Sequence, residues 1–341
     1  MPQCIIQWMR TAPEAARTAL QRPAAMAALA ATLLFMALGT AIAAPRVVVT
    51  VKPLHSLVAG VMAGVAEPDL IIRGAGSPHT YSLKPSEARL LEGAQVIFWV
   101  GESLETFMEK PLAVLGSKAR IVQVMQVPGI TLLAGRTGGA WEDHAGHDTA
   151  AHGHDARETP VHAGEHVAAM HDGHLWLDPA NARLIARHAA EVLGQLDPAN
   201  SGRYAANAAA LVARVDALDA GLKATLAPVR DIPFVVFHDA YQYFEKRYAL
   251  RAVGSITVSA ERKPGARRVR EIRDTIRSLG ARCVFSEPQF SSALLGALLE
   301  GTNTRTGTLD PLGAGLPAGP DAYFTLMRSL GSTLAECLGS R

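Results

Sequence analysis

The chain contains 341 residues, of which 49% are hydrophobic and 19% charged, and its formal net charge is +2. A chain of this length can form one large or two medium domains with sizeable cores. The near balance of charge argues against the basic surface that nucleic-acid binding requires, and no apolar run after residue 44 is long enough to cross a bilayer.

The first 43 residues are predicted to be a secretory signal peptide. Three arginines precede an uncharged apolar stretch from Pro23 to Ala43, which ends in the A-x-A-like sequence Ala41-Ile42-Ala43. We expect cleavage near Ala43/Ala44, after which basic and acidic residues balance at thirty each. The apolar stretch is long for a signal peptide, so an uncleaved membrane anchor is the alternative.

From Pro45 onward, short β-branched runs alternate with helical patterns, which is typical of an α/β fold. Eight strands are predicted, at Arg46–Val51, Leu70–Ile72, Gln95–Val100, Arg120–Val124, Pro233–Phe237, Arg251–Val258, Arg282–Phe285 and Thr304–Leu309. Helices are predicted among them at Leu54–Gly64, Lys84–Gly93, Ser103–Leu115, Gly265–Leu279, Ser291–Glu300 and Tyr323–Leu338.

One further helix is unusually long and is predicted to connect two lobes. Its apolar residues recur at intervals of three and four, at Tyr204, Ala208, Leu211, Val215, Leu218, Leu222 and Leu226. A helix of this length spans roughly 40 Å. We therefore predict an N-terminal lobe over 44–198, a linking helix over 199–228 and a C-terminal lobe over 229–341.

An acidic, histidine-rich segment at 141–173 interrupts the N-terminal lobe and is too polar to build a core of its own. Imidazoles interleaved with carboxylates at this density favour binding of Zn²⁺. A solvated loop that happens to be rich in histidine is the alternative. The predicted low-affinity metal ligands are His144, His147, His152, His154, His162, His166 and His171.

A metalloprotease-like sequence, H-x-x-E-H, lies at 162–166 within this segment. Protease chemistry needs both histidines on one face of a helix, with the glutamate as the base. Gly164 stands in the middle of the match, and the surrounding residues form no apolar helical stripe. We therefore interpret the match as coincidental and predict no enzymatic activity.

Four potential ligands lie near the ends of predicted strands, where α/β sheets bind their ligands. His79, His174, His238 and Asp310 offer three imidazoles and one carboxylate, a set suited to tetrahedral Zn²⁺. Each has an ordinary structural alternative, a hydrogen-bonded core histidine or an aspartate that starts a turn. Four protein ligands leave little room for an activated water, which favours holding a metal over catalysis.

Five segments, GAGSPHTYSLKPSEA, HLWLDP, FHDAYQYFE, CVFSEPQF and GTLDPLG, resemble the ZnuA-like zinc-binding periplasmic solute-binding proteins of ABC importers. The resemblance runs from Val47 to Cys337. It implies two α/β lobes with parallel-type sheets flanked by helices, joined by a long rigid helix, with one metal in the cleft between them. The implied ligands are His79, His174 and His238, with Asp310 or water in the fourth position.

The resemblance also implies a function: a periplasmic monomer that delivers Zn²⁺ to an ABC membrane permease, touches the membrane complex only peripherally and does no covalent chemistry. A carrier of Mn²⁺ or Fe²⁺ is one alternative, and a periplasmic zinc buffer or chaperone without an importer is another. Cys283 and Cys337 remain after export and fall where some such proteins carry a disulfide, the alternative being two buried thiols.

Overall fold

The structure, a computed structural model, describes residues 44–136, 141, 171–256, 266–288, 296, 299–302 and 304–340. The predicted signal peptide and most of the predicted histidine-rich segment lie outside the described residues. Within the described part of the chain, no helix combines the length and apolar character needed to cross a membrane.

The strands form two four-stranded sheets in which every pairing is parallel. The first sheet has the order β2-β1-β3-β4 and comprises β1 (Val47–Val49), β2 (Asp69–Leu70), β3 (Val96–Trp99) and β4 (Arg120–Gln123). The second has the order β6-β5-β7-β8 and comprises β5 (Phe234–Val236), β6 (Ala252–Ser255), β7 (Cys283–Ser286) and β8 (Arg305–Thr308). All eight predicted strands are confirmed, and the central ones, β1, β3, β5 and β7, appear in sequence as continuous apolar runs because they are buried on both faces.

Helices flank both sheets. They are α1 (Lys52–Val61), α2 (Pro85–Gly93), α3 (Glu109–Val114), α4 (Pro179–Leu196), α5 (Ser201–Leu226), α6 (Gln242–Tyr248), α7 (Ala266–Ser278) and α8 (Ala322–Gly339). The helix predicted from Ser103 begins only at Thr106, as a 3₁₀ turn, because the N–H groups of Leu104 and Glu105 both bond to the carbonyl of Gly101. Helix α6 was not predicted, since seven residues are too few to show a helical period. The predicted helix at 291–300 falls mostly outside the described residues.

Helix α5 has 26 residues and is extended at both ends by 3₁₀ turns, Pro198–Asn200 and Ala227–Val229. Every residue of its predicted apolar face is buried. It packs against α4, α1 and α8, so helices from both halves of the chain share it. Gly331 of α8 allows a close approach, since a Cβ there would lie 2.4 Å from Leu222 Cδ2. The prediction of a long helix between the two sheets is confirmed.

Polar contacts also join the halves of the chain. The ammonium group of Lys52, at the start of α1, donates to the carbonyl oxygens of Gly313, Ala314 and Leu316 at 2.6–2.9 Å. The indole N–H of Trp176 donates to the carbonyl of Pro311 at 2.9 Å. These bonds connect segments more than 130 residues apart in sequence and fix one half against the other.

A disulfide between Cys283 and Cys337 ties β7 to α8, which confirms the predicted pairing. The bond closes a loop of 54 residues. Cross-linking a loop of that size stabilises a fold by roughly 3–4 kcal/mol, mainly by restricting the unfolded chain. It holds the last helix on the sheet whose central strand leads into His238.

Candidate metal centre

Three histidines from separate segments meet at the edge where the strands end. His238 follows β5, a central strand, after one further buried residue, Phe237. His174 immediately precedes the buried 3₁₀ turn Leu175–Leu177. His79 lies in the loop between β2 and α2. The sheet therefore fixes His238, the core fixes His174, and a loop carries His79.

The imidazoles face one another closely enough to share one ion. The ring centroids lie 5.4 Å apart for His79 and His174, 6.0 Å for His79 and His238, and 5.3 Å for His174 and His238. One ring nitrogen from each lies within 4.8 Å of the other two. Nitrogens around a tetrahedral Zn²⁺ are separated by about 3.3 Å, given Zn–N bonds of about 2.0–2.1 Å. The three nitrogens therefore have to approach one another by up to about 1.5 Å to share one ion.

Glu287 orients the ring of His238. Its Oε1 lies 2.6 Å from His238 Nδ1 and also accepts the hydroxyl of Tyr241 at 3.1 Å. With Nδ1–H donating to this carboxylate, the lone pair for a metal is on Nε2. Burial disfavours the charged imidazolium, but the Glu287 carboxylate outweighs burial and raises the pKa of His238. Binding of a metal through Nε2 therefore competes with protonation of this ring.

Asp172 orients His174 in the same way. Its Oδ1 accepts the backbone N–H of His174 at 2.9 Å and lies 2.8 Å from the Nδ1 of that ring. Only glycine fits at position 173 between them, because a Cβ there would lie 2.6 Å from the Cβ of Leu104. Two of the three imidazoles therefore have a buried carboxylate on Nδ1, the arrangement that fixes the tautomer and strengthens a metal-binding histidine.

Exposure differs among the three ligand candidates. His174 is buried, at 4% exposure, His238 is partly buried, and His79 is exposed. The open side of the cluster is therefore the side of His79.

The structure does not bring Asp310 into this group of side chains. Its carboxylate instead accepts the backbone N–H groups of Leu312, Gly313 and Ala314 at 2.6–3.1 Å, and so closes the turn after β8. β8 is the edge strand, separated from β5 by β7. Strands two positions apart in a sheet are separated by about 10 Å.

The predicted ligands of the histidine-rich segment cannot be placed as a group. His144, His147, His152, His154, His162 and His166 lie outside the described residues. His171 is exposed, and its backbone forms an antiparallel bridge with Ala134. It is not a member of the three-histidine group.

Asp172 and Glu287 were not singled out from the sequence, although each contacts a ligand candidate. Glu287 could have been found only with knowledge that β5 pairs with β7, which the sequence does not show. Phe234 pairs with Cys283 and Val235 with Val284, and counting on in that register places His238 opposite Glu287. For Asp172, a carboxylate two residues before His174 was a visible signal, hidden among the other acids of its segment.

Comparisons with known proteins show which family this chain belongs to. The family model described as "ZnuA: Zinc-uptake complex component A periplasmic" matches residues 47–337. The high-affinity zinc uptake system protein ZnuA of Brucella abortus (strain 2308) is 47% identical over 319 residues, which cover 88% of this chain and 94% of that protein. The protein of the same name from Yersinia pestis is 34% identical, covering 91% of this chain and 96% of the relative.

Solved structures have the same fold. A structure titled "Crystal structure of ZnuA" superposes with a TM-score of 0.69 at 25% identity, and the match covers 86% of this chain and 99% of that one. The family model spans nearly all of the chain after residue 46. The chain therefore belongs to the ZnuA family of periplasmic zinc-uptake components.

Proposed function

We propose that this chain binds one Zn²⁺ between His79, His174 and His238 in the periplasm and delivers it to the membrane permease of an ABC importer. The observation that carries the proposal is the convergence of three imidazoles, two of them held through Nδ1 by buried carboxylates. The zinc uptake systems named for the relatives support the same cargo.

The donor set favours zinc over harder cations. Neutral imidazole nitrogens suit Zn²⁺, whereas Mn²⁺ and Ca²⁺ prefer shells rich in oxygen. The carboxylates of Asp172 and Glu287 are engaged with the Nδ1 atoms of two imidazoles. For the fourth position we propose solvent rather than Asp310, because both oxygens of Asp310 already accept backbone hydrogen bonds.

The remaining parts of the proposal follow from export and transport. We propose cleavage near Ala43/Ala44, a monomer with lobes at 44–198 and 229–341, and a weaker secondary metal site in the histidine-rich segment. The chain would perform no covalent chemistry, in keeping with a family of solute-binding transport proteins. His79, the exposed ligand, would be the first to release the ion at the permease.

The proposed function is tested by two measurements, the growth of a strain that lacks this chain and the metal preference of the purified protein. A strain without this chain is expected to grow poorly only when zinc is scarce, and to be rescued by added Zn²⁺ but not by Mn²⁺. The purified protein should bind Zn²⁺ more tightly than Mn²⁺ in a competition titration. Rescue by Mn²⁺ would indicate a carrier of a different metal, and normal growth with tight zinc binding would indicate a buffer without an importer.

Replacement of Glu287 by glutamine is expected to lower zinc affinity by about 10- to 100-fold, the usual cost of losing a partner that orients a ligand. The amide can still accept a hydrogen bond from His238 Nδ1, but it no longer supplies the charge that makes the ring more basic. A chelator competition assay at fixed pH measures the loss. The exposed Glu336, replaced in the same way, serves as the control. An unchanged affinity in Glu287→Gln would contradict the orientation described here.

A further inference from the structure

One guanidinium group holds two buried carboxylates beside the metal centre. Arg136 Nε lies 3.1 and 2.9 Å from the two oxygens of Asp239, and Nη2 also contacts Asp239 Oδ1. Its Nη1 and Nη2 lie 2.7 and 3.1 Å from the two oxygens of Glu245. All four carboxylate oxygens are thus bound by one side chain, which is the geometry for which a planar guanidinium is suited.

The carboxylates depend on this contact. Asp239 and Glu245 are only 5% and 6% exposed, and a buried carboxylate is strongly unfavourable unless it is paired. If one partner is removed, the remaining charge moves toward water, a proton or another cation. A metal ion bound nearby would be such a cation.

Asp239 is the carboxylate nearest in sequence to the metal ligands, since it directly follows His238. A carboxylate that entered the coordination shell would add the oxygen donor that Mn²⁺ prefers over Zn²⁺. With Arg136 in place, both oxygens of Asp239 are occupied, and the backbone that carries His238 is anchored through its neighbour.

Arg136 is itself held in position from two sides. Its guanidinium carbon lies 3.5 Å from the centre of the Trp141 ring, a cation–π contact. Earlier in the same segment, the N–H of Leu133 donates to the hydroxyl of Tyr243 at 3.0 Å, and the Gln242 amide donates to the carbonyl of Ala134 at 3.0 Å. The segment that carries Arg136 is therefore bound to α6, which also carries Glu245.

We propose that Arg136 is a specificity-determining positioning residue, which keeps Asp239 and Glu245 out of the metal's coordination shell and fixes the backbone of His238. The inference rests on the proposed binding of zinc by the three histidines. It adds a prediction that the ligand set alone does not make: the preference for zinc depends on a cation that never touches the metal.

The experiment compares the full mature chain with three variants of it. Arg136→Gln leaves both carboxylates unpaired, and Arg136→Gln combined with Asp239→Asn removes the nearer one. Arg183→Gln is the matched control, because Arg183 is also 21% exposed in its side chain and lies 2.9 and 3.6 Å from two carboxylates, those of Asp216 and Asp219. Zn²⁺ and Mn²⁺ affinities are measured by competition titration. The coordination number is followed by the visible absorption spectrum of the Co²⁺-loaded proteins.

Arg136→Gln is expected to lower the ratio of zinc to manganese affinity at least tenfold and to shift the Co²⁺ spectrum toward the weaker bands of a higher coordination number. The double variant should recover most of the ratio, whereas Arg183→Gln should match the unmodified protein. An unchanged ratio and spectrum in Arg136→Gln would overturn the inference, as would an equal loss in Arg183→Gln or a double variant that recovers nothing.

Arg136→Lys covers the case in which the glutamine variant does not fold. A lysine keeps the charge but cannot bind both carboxylates at once. In Arg136→Lys the ratio of zinc to manganese affinity should fall by roughly threefold or more, which is less than the fall expected for a folded glutamine variant. An unchanged ratio in Arg136→Lys would contradict the inference. If the unmodified protein does not prefer Zn²⁺ over Mn²⁺, the proposed function fails. If the unmodified protein prefers Zn²⁺ and replacement of Arg136 leaves that preference unchanged, only this inference is overturned.

Discussion

Replacing His174 with alanine is expected to weaken the tight binding of zinc by about 10²- to 10³-fold. Structural zinc-finger sites, which have four ligands, bind Zn²⁺ with about 10–16 kcal/mol, so one ligand accounts for roughly 2.5–4 kcal/mol. His174 is the most buried of the three imidazoles, and Asp172 holds its ring in place. Water that replaces the imidazole would be a weaker donor in a position shaped for a ring.

Competition with a chromophoric chelator at fixed pH measures this loss. His188→Ala is the matched control, since the His188 side chain on α4 is 25% exposed and lies 3.6 Å from Glu191, outside the three-histidine group. Deletion of residues 144–171, which carry the predicted low-affinity ligands, provides a second comparison, because the group formed by His79, His174 and His238 lies outside this segment. The deletion should retain the tight binding event. If it abolishes that event while His174→Ala preserves it, the metal centre has been assigned to the wrong histidines.

The sequence predicts the strands and the position of His238 for one physical reason. Strands buried on both faces, such as β3 and β5, leave long apolar runs, and whatever follows such a run stands at the ligand-binding edge of the sheet. His238 follows β5 in this way. His174 was recognisable by the buried Leu175–Leu177 that comes directly after it.

The same rule explains why Asp310 was grouped with the histidines. It follows β8, so it does lie at the correct edge of a sheet. The rule does not say which strands are neighbours, and β8 proved to be the edge strand, two positions from β5. Strand order in a parallel sheet is set by packing between residues distant in sequence.

Residues that act through the ligands were the least predictable part of the site. Glu287 lies 49 residues from His238, and Arg136 lies 103 residues from Asp239. No helical or strand period in the sequence reveals these two contacts, because each forms only after both segments have folded onto the rest of the chain. An isolated arginine or glutamate in sequence is most often a solvated surface residue.

A buried glutamate after the turn that follows β3 gives the protein a pH-dependent stability. Glu105 is fully buried and accepts the N–H of Val100 at 2.6 Å and that of Gly101 at 3.4 Å. Burial raises its pKa from 4.5 to about 7, although the Thr50 hydroxyl and the two N–H groups favour the charged form. The turn that it closes also carries Leu104, which packs against Gly173 beside His174.

The sign of the effect follows from the direction of this shift. Between pH 4.5 and 7 the folded protein retains the Glu105 proton while the unfolded chain releases it, so the free energy of unfolding falls as pH rises. The loss is complete above about pH 7 and amounts to about 3 kcal/mol, at 1.36 kcal/mol for each pKa unit. Glutamine does not titrate and has nearly the same shape, so Glu105→Gln removes this contribution.

Unfolding of the metal-free protein by urea at pH 4.5, 6 and 8 tests the prediction. The advantage of Glu105→Gln over the unmodified protein should grow by about 3 kcal/mol from the lowest pH to the highest, because the other titrating groups cancel in the difference. Glu102→Gln changes an exposed glutamate three residues away and controls for the loss of a charge in the same turn. A difference that stays constant with pH would mean that Glu105 is already ionised in the folded protein. In that case its charge would be stabilised by the N–H groups of Val100 and Gly101.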